Sequence, residues 1–251
     1  MKLEEYLESL PKGIMSGEDV QLSDDAFRDI FNFIDLNEND VFYHLGCGDG
    51  KGVSIASKEH RVKKSIGIDM DEEKISSAKK SFSEENTEFL CENIVESDIS
   101  EATVILFWFT DNEIISKMMP KFNQLQKGCK IITLWGPLPD CMPDKVKFPF
   151  ILNQVPFKPA NDLKEQLLAV FGVKCVDFVT AWEHAERYTK AIELPNAENN
   201  RFVTIIQSLV IWISAKNLGV ACGDEMPESI RTYIGILKNF YDIEVEHLLE
   251  K

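Results

Sequence analysis

The chain has 251 residues, of which 44% are hydrophobic and 27% charged, the balance of a soluble globular protein with a substantial core. Its 27 Lys and Arg stand against 42 Asp and Glu, and the net charge of −15 excludes the basic face that a nonspecific nucleic-acid or anionic-membrane binder requires. No nucleic-acid or membrane partner is expected, whereas a basic protein is a partner that this charge allows.

The amino-terminal stretch MKLEEYLESLPKG is acidic and has no signal-peptide hydrophobic region. The most apolar run, residues 202–213, contains Gln207 and Ser208 and is too short to span a bilayer. It is expected to be a buried helix in a cytoplasmic protein. Six cysteines, at 47, 91, 129, 141, 175 and 222, include no Cys-x-x-Cys pair. That spacing argues against a zinc site and against a disulfide framework, so buried, reduced thiols are expected.

Taken in chain order, LSDDAFRDIFNFI is expected to be a helix capped by Ser23, with Asp24 and Asp25 set against the dipole of its first turn. Strands and helices then alternate. DVFYHLG is a strand and GVSIASKEH a helix; KSIGIDM is a strand and DEEKISSAKKSF a helix. TEFLCENI and ATVILFWF are strands three and four, NEIISKMMPKFNQLQKG is a helix, and KIITLWG is the fifth strand. This alternation of short β-branched runs with helical periods predicts β-α-β units and a mostly parallel, Rossmann-like sheet.

After Trp135 the pattern breaks. Residues 136–159 hold six prolines, so a boundary with one or two extended edge segments is expected there. From Asn161 onward the pattern is helical: 161–171 ending at Gly172, 174–194 ending at Pro195, about 197–217, and a last helix from Pro227. The stretch 174–194 aligns Cys175, Phe178, Val179, Trp182, Ala185 and Ile192 on one stripe. The last helix carries Ile230, Tyr233, Ile234, Leu237, Tyr241 and Leu248. Four helices with apolar stripes predict an all-α bundle. The expected division is 1–158 for a sheet domain with amino-terminal helices and 159–251 for the bundle. The bundle is expected to supply a lid or a homodimer surface and to make no cofactor contact.

The segment VFYHLGCGDGKG sets Gly46, Gly48 and Gly50 behind the first strand, where glycines allow a tight turn and close approach of a ligand. The second strand ends in Asp69, whose carboxylate can accept from both hydroxyls of a ribose. Together they point to an adenosine-containing ligand. A dinucleotide loop G-x-G-x-x-G would need glycine where Lys51 stands. Asp49 within the loop would repel a pyrophosphate but tolerate the sulfonium-bearing half of S-adenosylmethionine. The end of the third strand offers Glu92, Asn93 and Ile94, with a polar group for the adenine amino group and Ile94 for its ring.

These stretches, LGCGDGKG, KKSIGIDMDEEKI, ENIVESDISEATVI and LQKGCKIITLWGPL, resemble class I S-adenosylmethionine-dependent methyltransferases. In particular the chain is similar to the compact archaeal protein-lysine methyltransferases related to the non-SET histone lysine methyltransferases. The resemblance covers roughly residues 20–147. It implies S-adenosylmethionine as cofactor, with Gly46, Cys47, Gly48, Asp49 and Gly50 at the methionine moiety. It places Asp69 and Met70 at the ribose, and Glu92, Asn93 and Ile94 at the adenine. Where the family usually has an acidic residue, this chain has His44. The Asn that follows the fourth strand in the histone enzymes is not evident in Phe107-Trp108-Phe109. Residues 161–251 match no methyltransferase pattern.

Methyl transfer from a sulfonium needs positioning and exclusion of water more than a catalytic side chain. Trp108, Phe109, Thr110 and Trp135, at the ends of strands four and five, are the acceptor-side candidates, for which simple core packing is the plainer reading. Transfer to protein lysine amines is the expected activity. The alternatives are a small-molecule N- or O-methyltransferase, or a non-catalytic S-adenosylmethionine-binding protein whose bundle holds a partner. Glu244 with His247, and His184 with Glu186, fit a solvated helix face better than a metal site, and no metal is expected. His60 suits the dipole at a helix end.

Overall fold

The computed structural model describes residues 2, 22–109, 111–134, 136–192, 200–223 and 225–249. It forms two compact units, Leu22–Ala160 and a second built on Asn161–Lys251. The boundary thus falls just after the expected 158/159 division. Lys2 pairs with Glu244 in an isolated parallel bridge, so this residue lies with the second unit and not with the sheet.

The first unit opens with α1 (Asp24–Phe33), whose amino terminus is closed by Ser23 accepting from Ala26 N at 3.1 Å. Next come β1 (Val41–Leu45), α2 (Lys51–His60), β2 (Lys64–Asp69), α3 (Glu72–Ser81), β3 (Thr87–Cys91), β4 (Val104–Phe107), α4 (Asn112–Asn123) and β5 (Lys130–Leu134). The proline-rich stretch supplies β6 (Cys141–Met142), β7 (Lys145–Lys147), β8 (Phe150–Gln154) and β9 (Lys158–Pro159), more than the one or two segments expected. One seven-stranded sheet runs β3-β2-β1-β4-β5-β8-β7. Its first five strands are parallel, and β8 and β7 are antiparallel. β8 is an interior strand, with Phe150–Asn153 all buried. Prolines at 149 and 156 lie just outside it and so remove no ladder bond within β8.

Alternation along the strands separates two cores. Tyr43, Leu45, Ile66, Ile68, Ile105 and Phe107 share one cluster with Met118 and Phe122 of α4. Toward the opposite face, Phe42 meets Phe31 of α1 edge-on, and Cys47, Val53, Ile75, Ala78 and Phe89 form a smaller cluster with α2 and α3. Helices on both faces of a mostly parallel sheet put the order reversal beside β1, where ligands of such sheets bind.

The second unit contains α5 (Leu163–Phe171), α6 (Phe178–Ile192), α7 (Asn200–Asn217), α8 (Glu228–Tyr241) and a 3-10 turn, Glu246–Leu249. α5 starts at Asp162, which accepts from Glu165 N, and ends at Gly172 in the left-handed region. Leu167, Ala181, Ile206, Leu209, Trp212, Ile230, Ile234 and Leu237 belong to its core. The stripe expectations need correction. Val179 is 63% and Tyr241 51% exposed, and Cys175 precedes α6 instead of lying on it. Pro195 lies outside the described residues, as do the side chains of Ile192 and Leu248.

The expectation of reduced thiols fails at one pair. Cys175 and Cys222 form a disulfide, reinforced by backbone bonds from Val176 N to Val220 O and from Cys222 N to Val176 O. Cys47, Cys129 and Cys141 are buried and outside any disulfide, and Cys91 is outside any disulfide but exposed. His184, read as a solvated residue, is only 4% exposed and sits edge-on to Phe171. His60 Nδ1 is 3.3 Å from Leu36 O. Among the described residues no helix is long and apolar enough to cross a membrane, and no group of His, Cys, Asp and Glu is arranged to hold a metal.

Candidate cofactor and acceptor site

The glycine loop turns because three residues take positive φ: Gly46 (74°), Gly48 (55°) and Gly50 (84°). Its backbone donors are engaged within the protein. Gly46 N and Cys47 N both donate to Ile68 O, at 2.8 and 3.0 Å. Gly48 N donates to Asp69 Oδ2 at 2.8 Å, Gly50 N to Cys47 O at 3.0 Å, and Lys51 N to Asp49 Oδ1 at 3.2 Å. The loop is held by the end of β2, so its shape is set within the protein.

The three glycines do different things. A Cβ on Gly46 would stand 2.9 Å from Phe109 Cζ, so the bare Cα lets an aromatic ring lie against the loop. A Cβ on Gly50 would meet Phe89 at 2.6 Å and Ala78 at 2.9 Å, which makes this glycine a packing requirement of the α3 side. Gly48 presents its N–H to Asp69. Cys47 is buried, and a Cβ on Gly67 would come within 2.7 Å of its Sγ. Burial pushes its thiol pKa up. His44 is buried as well, edge-on to Phe27, and burial lowers it to about 4. It is a neutral core residue.

Asp69 is the hinge of the site. Besides Gly48 N, it accepts from Asp71 N at 3.0 Å, and its own carbonyl accepts from Glu92 N at 3.0 Å. A carboxylate offers about four lone-pair positions. Two backbone donors therefore leave capacity for the two hydroxyls of a ribose, and the half-exposed position of Asp69 keeps it reachable. Met70 beside it is 70% exposed. Glu92 and Asn93 are exposed at the end of β3. Asn93 opens a single turn, with Oδ1 accepting from Val95 N and its carbonyl accepting from Glu96 N and Ser97 N. Ile94 is 6% exposed and anchors that turn in the core cluster of α4.

Of the acceptor-side candidates, Trp108 and Phe109 follow β4 and are half-buried. Phe109 stacks on Phe107 with centroids 4.9 Å apart, which fixes the ring that faces Gly46. Asp111 then caps α4 by accepting from Glu113 N and Ile114 N. Thr110 and Trp135 lie outside the described residues. The loop, Asp69, the Asn93 turn and Phe109 are thus mutually tied at the carboxyl ends of β1 to β4. A residue that the sequence reading passed over is Lys121 of α4. Its Nζ donates to Ile94 O, Val95 O and Ser97 O at 3.1, 3.0 and 2.5 Å. Nothing in its sequence context marks a lysine near the end of a helix as a cap for a turn 24 to 27 residues earlier.

The family model described as histone methylation protein DOT1 matches residues 17–87. A protein-lysine N-methyltransferase from Saccharolobus islandicus (strain REY15A) is 30% identical over 112 residues, covering 42% of this chain and 68% of that protein. The crystal structure of an RNA methyltransferase from Salinibacter ruber, in complex with S-adenosyl-L-homocysteine, is similar with a TM-score of 0.52 and 27% identity. The similarity covers 57% of this chain and 99% of that one. The chain belongs to the class I S-adenosylmethionine-dependent methyltransferases, in the same family as the Saccharolobus islandicus protein.

Proposed function

We propose that the protein methylates the ε-amine of lysine in a basic protein. The observation that carries this reading is the aromatic wall at the glycine loop. Phe109, stacked on Phe107 and pressed against Gly46, sets an apolar surface beside the place where the methionine half of the cofactor is expected. Bound S-adenosylmethionine supplies an electrophilic methyl group on a sulfonium. The chain's part is to present an acceptor with its lone pair free. A lysine amine, with a free pKa near ~10.4, must shed its proton first, and an apolar wall favours the neutral form.

Asp69, Asp71 and Asp111 each accept two backbone N–H bonds, so these carboxylates are engaged in holding the loop and the helix starts. The rim is acidic, with Asp49, Asp69, Asp71, Glu72, Glu73, Glu92, Asp111 and Glu113 at strand ends and first helical turns. Residues 1–150 carry 17 basic against 28 acidic residues, so the field there attracts a basic protein. The name of the Saccharolobus islandicus relative supports the same substrate class.

The Salinibacter ruber neighbour, an RNA methyltransferase, raises RNA as a second acceptor. Net charge of −15 and the acidic rim oppose it, since affinity for a phosphate backbone comes mainly from Lys and Arg. The test is incubation with methyl-labelled S-adenosylmethionine and three acceptor pools: basic proteins, RNA and small molecules. Label is expected in lysine peptides by mass spectrometry. Label confined to RNA or to small molecules would overturn the lysine assignment.

A further inference from the structure

We propose that Lys121 is a positioning residue for the cofactor's adenine, acting through the turn that carries Asn93. The proposal rests on the assignment of that turn to the adenine.

The three N–H bonds of the Lys121 ammonium all go to main-chain carbonyls of one short turn: Ile94, Val95 and Ser97. At the other end of the same turn Asn93 accepts through its side chain from Val95 N, and through its carbonyl from Glu96 N, Ser97 N and Ser97 Oγ. Five residues therefore have an amide cap at the start and a cation at the finish. A cation at the carboxyl end of a turn complements its dipole, and hydrogen bonds in a chain polarise one another. Isolated, a turn this short has little stability of its own. With Lys121 in place, the turn is fastened to α4, and Asn93 is held exposed at the end of β3.

The side chain is not a surface charge that happens to lie nearby. Burial lowers the Lys121 pKa, against an opposing pull from Asp98. Taking an ammonium partly out of water is costly unless its hydrogen bonds are made, and here they are made to carbonyls alone. α4 also begins at Asp111, immediately after the acceptor-side segment of Trp108 and Phe109. One helix thus fixes the adenine turn near its end and follows the acceptor wall at its start.

Adenine presents an amino donor at the position where hypoxanthine presents a carbonyl acceptor. Asn93 Oδ1 accepts one bond from Val95 N and keeps a second lone pair, so a rigid turn that offers it to the amino group would distinguish the two, and a loosened turn would do so less well. The test measures binding of S-adenosylhomocysteine and S-inosylhomocysteine to the full chain by calorimetry, with thermal unfolding recorded in parallel. Lys121→Met is expected to reduce the preference for the adenine compound by about tenfold, the effect of one or two lost hydrogen bonds. A merely structural role would lower the unfolding temperature and leave the preference alone. Asn93→Ala serves as the reference and should reduce the preference at least as much. Should Lys121→Met fail to fold, Lys121→Gln, which keeps two donors and loses the charge, decides the matter. A preference unchanged at Lys121 but reduced by Asn93→Ala would overturn the proposal and leave the adenine assignment standing. A preference unchanged in both would remove the turn from the adenine site, and the proposal with it.

Discussion

The backbone N–H of Gly48 donates to Asp69 Oδ2 at 2.8 Å, which ties the loop after β1 to the end of β2. Asp69→Ala would strand that N–H together with Asp71 N and remove the acceptors for the ribose. Affinity for S-adenosylhomocysteine should fall by about 1–3 kcal/mol, the range for buried hydrogen-bonding groups left without partners. Asp69→Asn keeps one acceptor oxygen and should lose less. Calorimetry on both variants checks the order, and equal affinity in wild type and Asp69→Ala would take Asp69 out of the site.

Gly46 and Phe109 make a second, separable prediction. Alanine at position 46 meets two obstacles, φ of 74° and a Cβ 2.9 Å from the ring of Phe109. The backbone component costs roughly 1–2 kcal/mol for a non-glycine residue in the left-handed region. Gly46→Ala should therefore lower stability and cofactor affinity together. Replacing Phe109 by Leu in the same chain should recover the steric share but not the backbone share. Urea unfolding of the two single variants and the double variant measures this coupling. Strict additivity would mean that the ring does not press on the loop.

Sequence periodicity was informative for the parallel half of the sheet because β1, β2, β4 and β5 are largely buried runs, and α3 and α4 open on capping aspartates. It was poor where local signals conflict with tertiary ones. β8 is short and flanked by prolines, which normally mark an edge or a loop, yet all of Phe150–Asn153 is buried. Glycine spacing and Asp69 pointed to the right ligand class, but the spacing could not say that Gly50 answers to Phe89 and Ala78. Nor could it say that the loop N–H groups are spoken for by Ile68 O. Cys175 and Cys222 are 47 residues apart in sequence, and the parallel bridge between Val176 and Ala221 lies beside both. Lys121 was invisible for the same reason: its partners lie in another element.

Burial of His44 has a consequence for acid stability. Its pKa is lowered from 6.5 to about 4, so between those values an unfolded chain takes up a proton that the folded chain refuses. Stability contributed by the neutral ring is complete above pH 6.5 and is lost as pH falls toward 4. For a fully buried group the loss amounts to about 3 kcal/mol. His184, also lowered to about 4, acts in the same direction within the helical unit. His44→Leu should flatten the acid limb of a plot of unfolding free energy against pH, measured between pH 4 and 7.5 (approximately). The Nδ1 of His44 has no hydrogen-bond partner, so the substitution should cost little at neutral pH. An unchanged acid limb would mean that His44 titrates normally.

Trp108 separates the acceptor side from the cofactor side. It follows β4, half-buried beside Phe109, and neither Asp69 nor the Asn93 turn depends on it through a hydrogen bond. If the aromatic wall desolvates a lysine amine, Trp108→Ala should lower turnover at saturating cofactor while leaving S-adenosylhomocysteine affinity within about twofold. The same desolvation sets the pH profile. Activity should rise as pH climbs toward the lysine pKa, because the neutral amine is the reactive form, and the rise should be steeper in Trp108→Ala, where less help is given to deprotonation. Added salt should lower the rate with a basic protein by weakening its attraction to the acidic rim. A Trp108→Ala enzyme that loses cofactor affinity and turnover in equal measure would place this side chain on the cofactor side instead.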